Sequence, residues 1–321
     1  MKITIISLDN WGYNEYIVEE LKSFKNVEVN HINFDKLRYK YPTIWHKILN
    51  FFLKNIFNIN LKRKHLNKVI LDQIKNLGHQ DKILVIKAEF LSIKTIKKLK
   101  KNTSQLIAFY NDNIQRCPRI KVVYPYFDIN YSFERKDVLK YNFNFITNYI
   151  YHKHLKQKPD LNTKTEFEVF NISSLGKRNT SLEKIALALD MIKANYRIIL
   201  VGKKEYIPKG NIIYQSEKID IEGVNDNISK SRTLLDVHRE GQSGLTFRVM
   251  DSLAFHKKLI TTNPDIVNYD FYNPNNILVV NTEKVEISKA FFETTYESIP
   301  QKIYDRYTIN NWVKTVFQLE S

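Results

Sequence analysis

The chain has very little cysteine: of 321 residues only Cys117 is one, so it offers neither an internal disulfide nor a cysteine cluster for structural zinc. That usage fits a reducing compartment. No long hydrophobic run is present either. The apolar clusters near residues 44 to 61 are broken by His46, Lys47, Lys54 and several Asn, short of the ~18 to 20 residues a spanning helix needs. A secretion signal is not expected, because Lys2 is followed only by Ile3 to Leu8 before Asp9, a length that suits a first buried strand. Glycine is scarce. No Gly-x-Gly-x-x-Gly follows the first strand, where Gly12 stands alone, which argues against a dinucleotide-binding first half. No Asp-x-Asp pair occurs, and His31, His46, His79 and the His152-Lys153-His154 run lack metal-ligand spacing.

One stretch lacks acid altogether. Between Asp35 and Asp72 there are nine bases, Lys36, Arg38, Lys40, Lys47, Lys54, Lys62, Arg63, Lys64 and Lys68, interleaved with Tyr39, Tyr41, Trp45, Phe51, Phe52 and Phe57. The imbalance is confined to one half: residues 1 to 165 hold 30 bases and 14 acids, 30 − 14 = +16, whereas residues 166 to 321 hold 20 and 20, a net of zero. Bases mixed with aromatics meet polyanions in two ways. They bind nucleic acid through phosphates and stacked bases, or an anionic membrane with rings at headgroup depth. A solvated lysine face over a core helix is the plain alternative.

Hydrophobic patterning gives two successive strand–helix alternations. In the first half, strands are expected at Lys2 to Leu8, Val27 to Phe34, Lys82 to Lys87 and Gln105 to Tyr110, with helical spacing at Tyr13 to Phe24 and Ser92 to Lys100. A polar stretch, His152 to Lys164 with Pro159, reads as the linker. Beyond it, strands are expected at Phe167 to Ile172, Arg197 to Gly202, Asn211 to Tyr214, Thr233 to Val237, Lys258 to Thr262 and Ile277 to Val280. Helices fall at Leu182 to Ala194, around Gly223 to Ser231 and from about Leu245 to Phe255. The expectation is an α/β protein of two Rossmann-like parallel-sheet domains, 1–165 and 166–321, facing a central cleft, with the last helix packing back on the first domain.

The strongest local pattern runs from Leu234 to Leu253: a buried strand, a small polar loop containing His238, Glu240, Gln242, Ser243 and Gly244, then a helix containing Leu245, Thr246, Arg248 and Asp251. Unpaired amides of Ser243 to Thr246 at a sheet mouth suit a phosphate, and Gly244 admits close approach. Asp251, two turns into the helix, is the candidate for ribose hydroxyls. A plain cap by Ser243 with Asp251 on the surface is the structural alternative.

These residues also resemble a known group. Asp251-Ser252-Leu253-Ala254-Phe255-His256-Lys257-Lys258-Leu259-Ile260-Thr261-Thr262 is similar to the donor-site helix and following strand of GT-B glycosyltransferases. More narrowly, Gln242-Ser243-Gly244-Leu245-Thr246-x-Arg248, Lys257 to Asn263, Tyr269-Asp270-Phe271-Tyr272-Asn273-Pro274, and Tyr131-Ser132-Phe133-Glu134-Arg135-Lys136-Asp137 resemble bacterial glycosyltransferases of capsule and lipopolysaccharide synthesis. The resemblance covers roughly residues 80 to 280. It implies a nucleotide-diphosphate sugar donor in the second domain, with Asp251 at the ribose-binding acid of the Glu-x7-Glu pair. Ser243 then stands where the first acid is usual, and Glu240 or His238 in the same loop substitutes.

Without Asp-x-Asp, the leaving diphosphate is expected to be stabilised by cations and a helix N-terminus rather than a metal, so no cofactor is expected. Arg248 is the first candidate cation; Lys177 or Arg178, in the loop after the second domain's first strand, is the second. For an inverting reaction a base is expected at a strand end of the first domain, ranked Asp112, Glu89, Asp9. Together these predict sugar transfer to a growing, lipid-linked surface glycan by a cytoplasmic protein held peripherally on the anionic inner face of the membrane. No nucleic-acid partner is expected, since no reader motif is present. The competing readings are a sugar-nucleotide epimerase of the same architecture and a basic nucleic-acid-binding protein.

Overall fold

Strands such as Gln80–Ile86, whose last four residues are all buried, carry apolar side chains on both faces, which only a sheet covered on both sides accommodates. The computed structural model describes residues 1–37, 39–57, 59–154, 164–203 and 206–320. They divide into two units, Met1–Ile146 with Val313–Ser321, and Thr147–Trp312.

The first unit runs β1 (Lys2–Ser7), α1 (Glu15–Lys22), β2 (Glu28–Asn33), α2 (Ile44–Ile56), α3 (Leu61–Leu77), β3 (Gln80–Ile86), α4 (Ile93–Lys100), β4 (Thr103–Tyr110), α5 (Ile120–Val123), β5 (Ile129–Ser132), α6 (Arg135–Tyr141) and β6 (Asn144–Phe145). The strands are parallel in the order β2-β1-β3-β4-β5-β6. Two helices, α2 and α3, fill the connection from β2 to β3. Asn60 caps α3 by accepting from the Arg63 amide at 3.2 Å, and Thr43 caps α2 through the His46 amide. Helix α2 is inverted relative to an ordinary surface helix. Its one buried residue is Asn50, whose Nδ2 donates to Tyr41 Oη at 2.8 Å while its Oδ1 accepts the Leu61 amide at 2.7 Å. The apolar side chains face outward, with Trp45 74%, Phe51 63% and Ile56 67% exposed. Arg38, within the same basic stretch, lies outside the described residues.

The second unit runs β7 (Phe167–Ser174), α7 (Asn179–Met191), β8 (Tyr196–Val201), β9 (Ile213–Gln215), α8 (Ile221–Ser229), β10 (Ser231–Asp236), α9 (Phe247–Ala254), β11 (Lys258–Thr261), β12 (Ile277–Val279), α10 (Ala290–Glu293), α11 (Gln301–Arg306) and the start of α12 (Ile309–Phe317), whose residues from Val313 on belong to the first unit. Its parallel order, β12-β11-β10-β7-β8-β9, is the doubly wound 3-2-1-4-5-6 arrangement. Leu182, Ile185, Ala186 and Leu189 of α7 are fully buried against Val169, Ile198 and Leu200. Each aliphatic side chain so buried contributes about 1.5 to 3 kcal/mol.

The division differs from the boundary expected at residue 165. Residues 147–154 pack into the second unit: Asn148 Nδ2 donates to Leu245 O at 2.8 Å, Trp312 Nε1 donates to Thr147 O, and Tyr149, Ile150 and Tyr151 are buried. The polarity of His152 and its neighbours hid this, because aromatic burial without periodicity leaves no pattern. The rest of the expected linker, residues 155–163, lies outside the described residues. At the other end, Phe317 O accepts from Lys82 Nζ at 2.5 Å and Thr315 O from Tyr131 Oη at 3.1 Å, both within the first unit.

Candidate functional site

In an open parallel sheet, ligands gather at the strand ends where the winding direction reverses. In the second unit that reversal lies between β7 and β10, so the loops Leu175–Arg178 and Val237–Thr246 rim it. The first loop is held close to the sheet: Leu175 N donates to Val201 O at 2.8 Å, and a Cβ on Gly202 would sit 2.7 Å from Leu175 Cβ, so only glycine fits there. Arg178 joins the two loops by donating to Val237 O at 3.0 Å. The second loop is fastened from below. Thr262 Oγ1 accepts the His238 amide at 3.0 Å and lies 2.7 Å from His238 Nδ1, and Asn263 Nδ2 donates to Ser243 O at 2.9 Å. Buried Asp236 accepts from both Thr246 and Thr261 hydroxyls. Burial pushes the His238 imidazole below its ordinary pKa, and the Arg178 charge pushes the same way against the pull of Asp236. A neutral imidazole and an arginine therefore share the rim.

Of the expected donor-site residues, Lys177 and Glu240 are exposed, and Arg178, His238, Gln242, Ser243 and Thr246 are half-buried on these loops. Gly244 and Leu245 are buried, and the Leu245 side chain belongs to the core, so only its backbone faces the loop. Helix α9 begins at Phe247 rather than Leu245. Its cap is Thr246, whose Oγ1 accepts the Arg248 amide at 3.1 Å, and not Ser243.

Asp251 does not line open space, and Arg248 is largely turned toward Asp251. The Asp251 side chain is enclosed: Oδ2 accepts from Arg248 at 3.0 Å, Oδ1 accepts from Tyr151 Oη at 3.1 Å, and His152 Nε2 lies 3.0 Å away. The Arg248 guanidinium lies 5.5 Å from the Phe170 ring centroid, with its side chain 11% exposed. Contact of the Asp251 carboxylate with a ribose requires this cluster to open. As folded, the pair ties α9 to residues 151–152, partners that sequence spacing could not reveal.

In the first unit the reversal lies between β1 and β3, where Asp9 and Glu89 follow the strand ends; Asp112 follows the adjacent β4. The three carboxylates differ in what surrounds them. Asp9 accepts the amides of Trp11, Gly12 and Asn14, which makes it a turn brace. Asp112 is ion-paired to Arg116 and, at 3.5 Å, to Lys87. Glu89 sits in a short 3₁₀ turn, Ala88–Phe90, entered through Lys87 at φ 66°, a left-handed conformation that costs a lysine about 1 kcal/mol or more. Arg119 holds this turn by donating to Glu89 O at 2.8 Å and Leu91 O at 2.9 Å. Burial raises the Glu89 carboxyl above its ordinary pKa and nearby Asp112 adds to this, although the Lys87 and Arg119 charges oppose it. Asp9 is thus committed to a turn and Asp112 to two cations, while Glu89 carries the raised carboxyl pKa. Arg119 was not visible from sequence, because only tertiary folding brings it to the Glu89 turn, whereas Arg116 sits four residues after Asp112 and was missed as a local i,i+4 partner.

Among the described residues, no group of three or more His, Cys, Asp or Glu side chains is placed to hold a metal ion. No helix among them is long and apolar enough to cross a membrane.

No protein-family model and no curated protein matches the chain. Solved structures do. The chain resembles an α,α-trehalose-phosphate synthase (UDP-forming) from Burkholderia xenovorans, in complex with glucose-6-phosphate, at TM-score 0.60 and 9% identity, covering 99% of each chain. It also resembles AviGT4, a glycosyltransferase involved in avilamycin A biosynthesis, at 0.59 and 9%, covering 99% of this chain and 96% of that one. A UDP-GlcNAc 2-epimerase from Neisseria meningitidis bound to UDP-GlcNAc matches at 0.56 and 12%, covering 99% of both. The fold is that of the GT-B type, shared by glycosyltransferases and sugar-nucleotide epimerases.

Proposed function

We propose that the chain is a glycosyltransferase that takes a sugar from a nucleoside-diphosphate donor bound by the second unit and passes it to a lipid-linked glycan of a bacterial surface polysaccharide. The observation that carries this reading is the β7/β10 switch point, where the loops bearing Arg178 and His238 are fastened together at the mouth of a 3-2-1-4-5-6 sheet. Arg178, Lys177 and the amides around Thr246 meet the diphosphate there, and His238, neutral because burial lowers its pKa, donates or accepts a hydrogen bond to it. Glu89 removes the proton from the acceptor hydroxyl. Transfer proceeds without a metal in this reading, because cationic side chains and the helix terminus stand in for it. The outward apolar face of α2, beside a run of bases without acid, supports peripheral attachment to an anionic membrane.

Hydrogen exchange with a panel of nucleoside diphosphates tests the donor site. Protection is expected at Leu175–Arg178 and Val237–Thr246; protection confined to the first unit would overturn the assignment. The second reading, a sugar-nucleotide epimerase, has the same architecture in its favour. It predicts conversion of the donor in the absence of any acceptor, whereas a transferase releases nucleoside diphosphate only when acceptor is added.

A further inference from the structure

The basic stretch contains more than an exposed helix. Between α3 and α4 the first unit has a cavity of about 700 Å³. Its charged lining is one-sided: Arg63, Lys64 and Lys68 from α3 and Lys94 and Lys98 from α4, against the single acid Asp72. Its remaining lining is amphiphilic. Ile59 and Leu61 stand at the α2 side, where Ile56, Phe57 and Ile59 are all exposed apolar residues, so the apolar face of α2 continues to the cavity. Asn50, by accepting the Leu61 amide, holds α2 against the start of α3 and so keeps that apolar face beside the charged lining.

The opposite side of the cavity is tied to the Glu89 turn. Asn67, a lining residue, donates to Phe90 O at 3.3 Å and accepts the Ser92 amide at 2.7 Å. Arg63 lies near enough to Arg119 that its charge, after burial, helps to lower the Arg119 pKa. Five cations around one concavity repel one another, and with one acid among them the arrangement lacks its counter-charge. An anion relieves that repulsion, and the apolar rim favours an anion that carries hydrocarbon.

We infer that this cavity binds the phosphate of a lipid headgroup, with the lipid chains lying along the apolar face of α2. A phosphate presents several acceptor oxygens to the lysine ammonium groups and the Arg63 guanidinium. The surface on α2 supplies attachment to the bilayer; the cavity supplies recognition of one headgroup within it. The inference rests on the membrane-facing reading of α2 but not on the reaction class, since it concerns binding alone.

The test compares vesicles of phosphatidylcholine doped with phosphatidic acid, phosphatidylserine or phosphatidylglycerol, matched in surface potential, for sedimentation of the full chain. A cavity for phosphate predicts a preference for the exposed phosphomonoester of phosphatidic acid of about thirtyfold or more, the size expected when two or three lysines engage a charged headgroup directly. Lys68→Gln with Lys94→Gln and Lys98→Gln removes that preference. All three side chains are exposed, so the variant retains its fold, which an unchanged melting temperature verifies. Lys47→Gln with Lys54→Gln, on α2 and outside the cavity, lowers binding to every anionic vesicle but leaves the preference intact. The inference is overturned if the wild type shows no preference, or if the triple variant keeps it. It is also overturned if inorganic phosphate binds without vesicles as tightly as phosphatidic acid does within them, which assigns the cavity to a free anion.

Discussion

Glu89 is a half-buried carboxylate and Asp251 a fully buried one, and they predict opposite behaviour. Glu89 has a raised pKa because burial disfavours its charge. Its contribution to stability is therefore present below the ordinary carboxyl range and is lost as pH rises through the folded-state value. Glu89→Gln should raise the melting temperature at pH 8 relative to wild type, with the difference shrinking toward pH 4, while turnover falls by about 10²- to 10⁴-fold. An unchanged turnover would move the base to Asp112. Asp251 is different because its charge is matched by Arg248. Asp251→Ala leaves a buried guanidinium without its partner and should cost about 3 kcal/mol of stability, measured by denaturant unfolding. A variant that unfolds like wild type but binds nucleotide weakly would instead make Asp251 a ribose ligand.

At the scale of elements, α2 is the part whose design departs furthest from an ordinary globular helix. A helix on a domain surface normally turns its apolar stripe inward; α2 turns Asn50 inward and leaves Trp45, Phe51, Phe52 and Ile56 outside. Replacing Trp45, Phe51 and Phe52 together by Ser removes exposed apolar surface without opening a core, so the melting temperature should stay within about 2 °C of wild type, as for surface substitutions generally. Binding to anionic vesicles should fall by about tenfold or more, given ~25 cal/mol for each Å² of apolar surface that would enter the bilayer interface. Equal sedimentation of variant and wild type would show that the helix meets something other than lipid. The mixture of bases and aromatics at residues 36–68 was legible in the sequence, but which face of α2 turns outward was not, because an apolar stripe packs equally well against protein or lipid.

For the whole molecule, the separation of charge is the governing property: all sixteen net positive charges lie in the first half of the sequence, and the second half is neutral. Association with anionic vesicles should therefore weaken steeply between low and high salt as the Debye length falls from ~30 Å to ~3 Å, while nucleotide binding by the second unit changes little. Parallel titrations at several salt concentrations check this, and an equal loss in both would remove the division of labour. Sugar transfer is expected to persist in EDTA. Abolition of activity by the chelator, restored by manganese, would give the diphosphate an ionic partner in place of Arg178 and α9.

The sequence by itself determined the two parallel α/β units. Strands such as Ile83 to Ile86 and Ile198 to Val201 are apolar on both faces, and no arrangement but a doubly covered sheet buries them. It also placed a small polar loop, His238 to Gly244, between a strand and a helix, since Gly and Ser at that spacing interrupt both periods. What it left open were interactions between residues distant along the chain. That Asp251 is enclosed by Tyr151 and His152, that Thr262 and Asn263 fasten the donor loop, and that Arg119 holds the Glu89 turn were decided by tertiary structure alone. Periodicity records which side of an element is buried; the identity of the polar partner met there depends on how the strands are ordered in space.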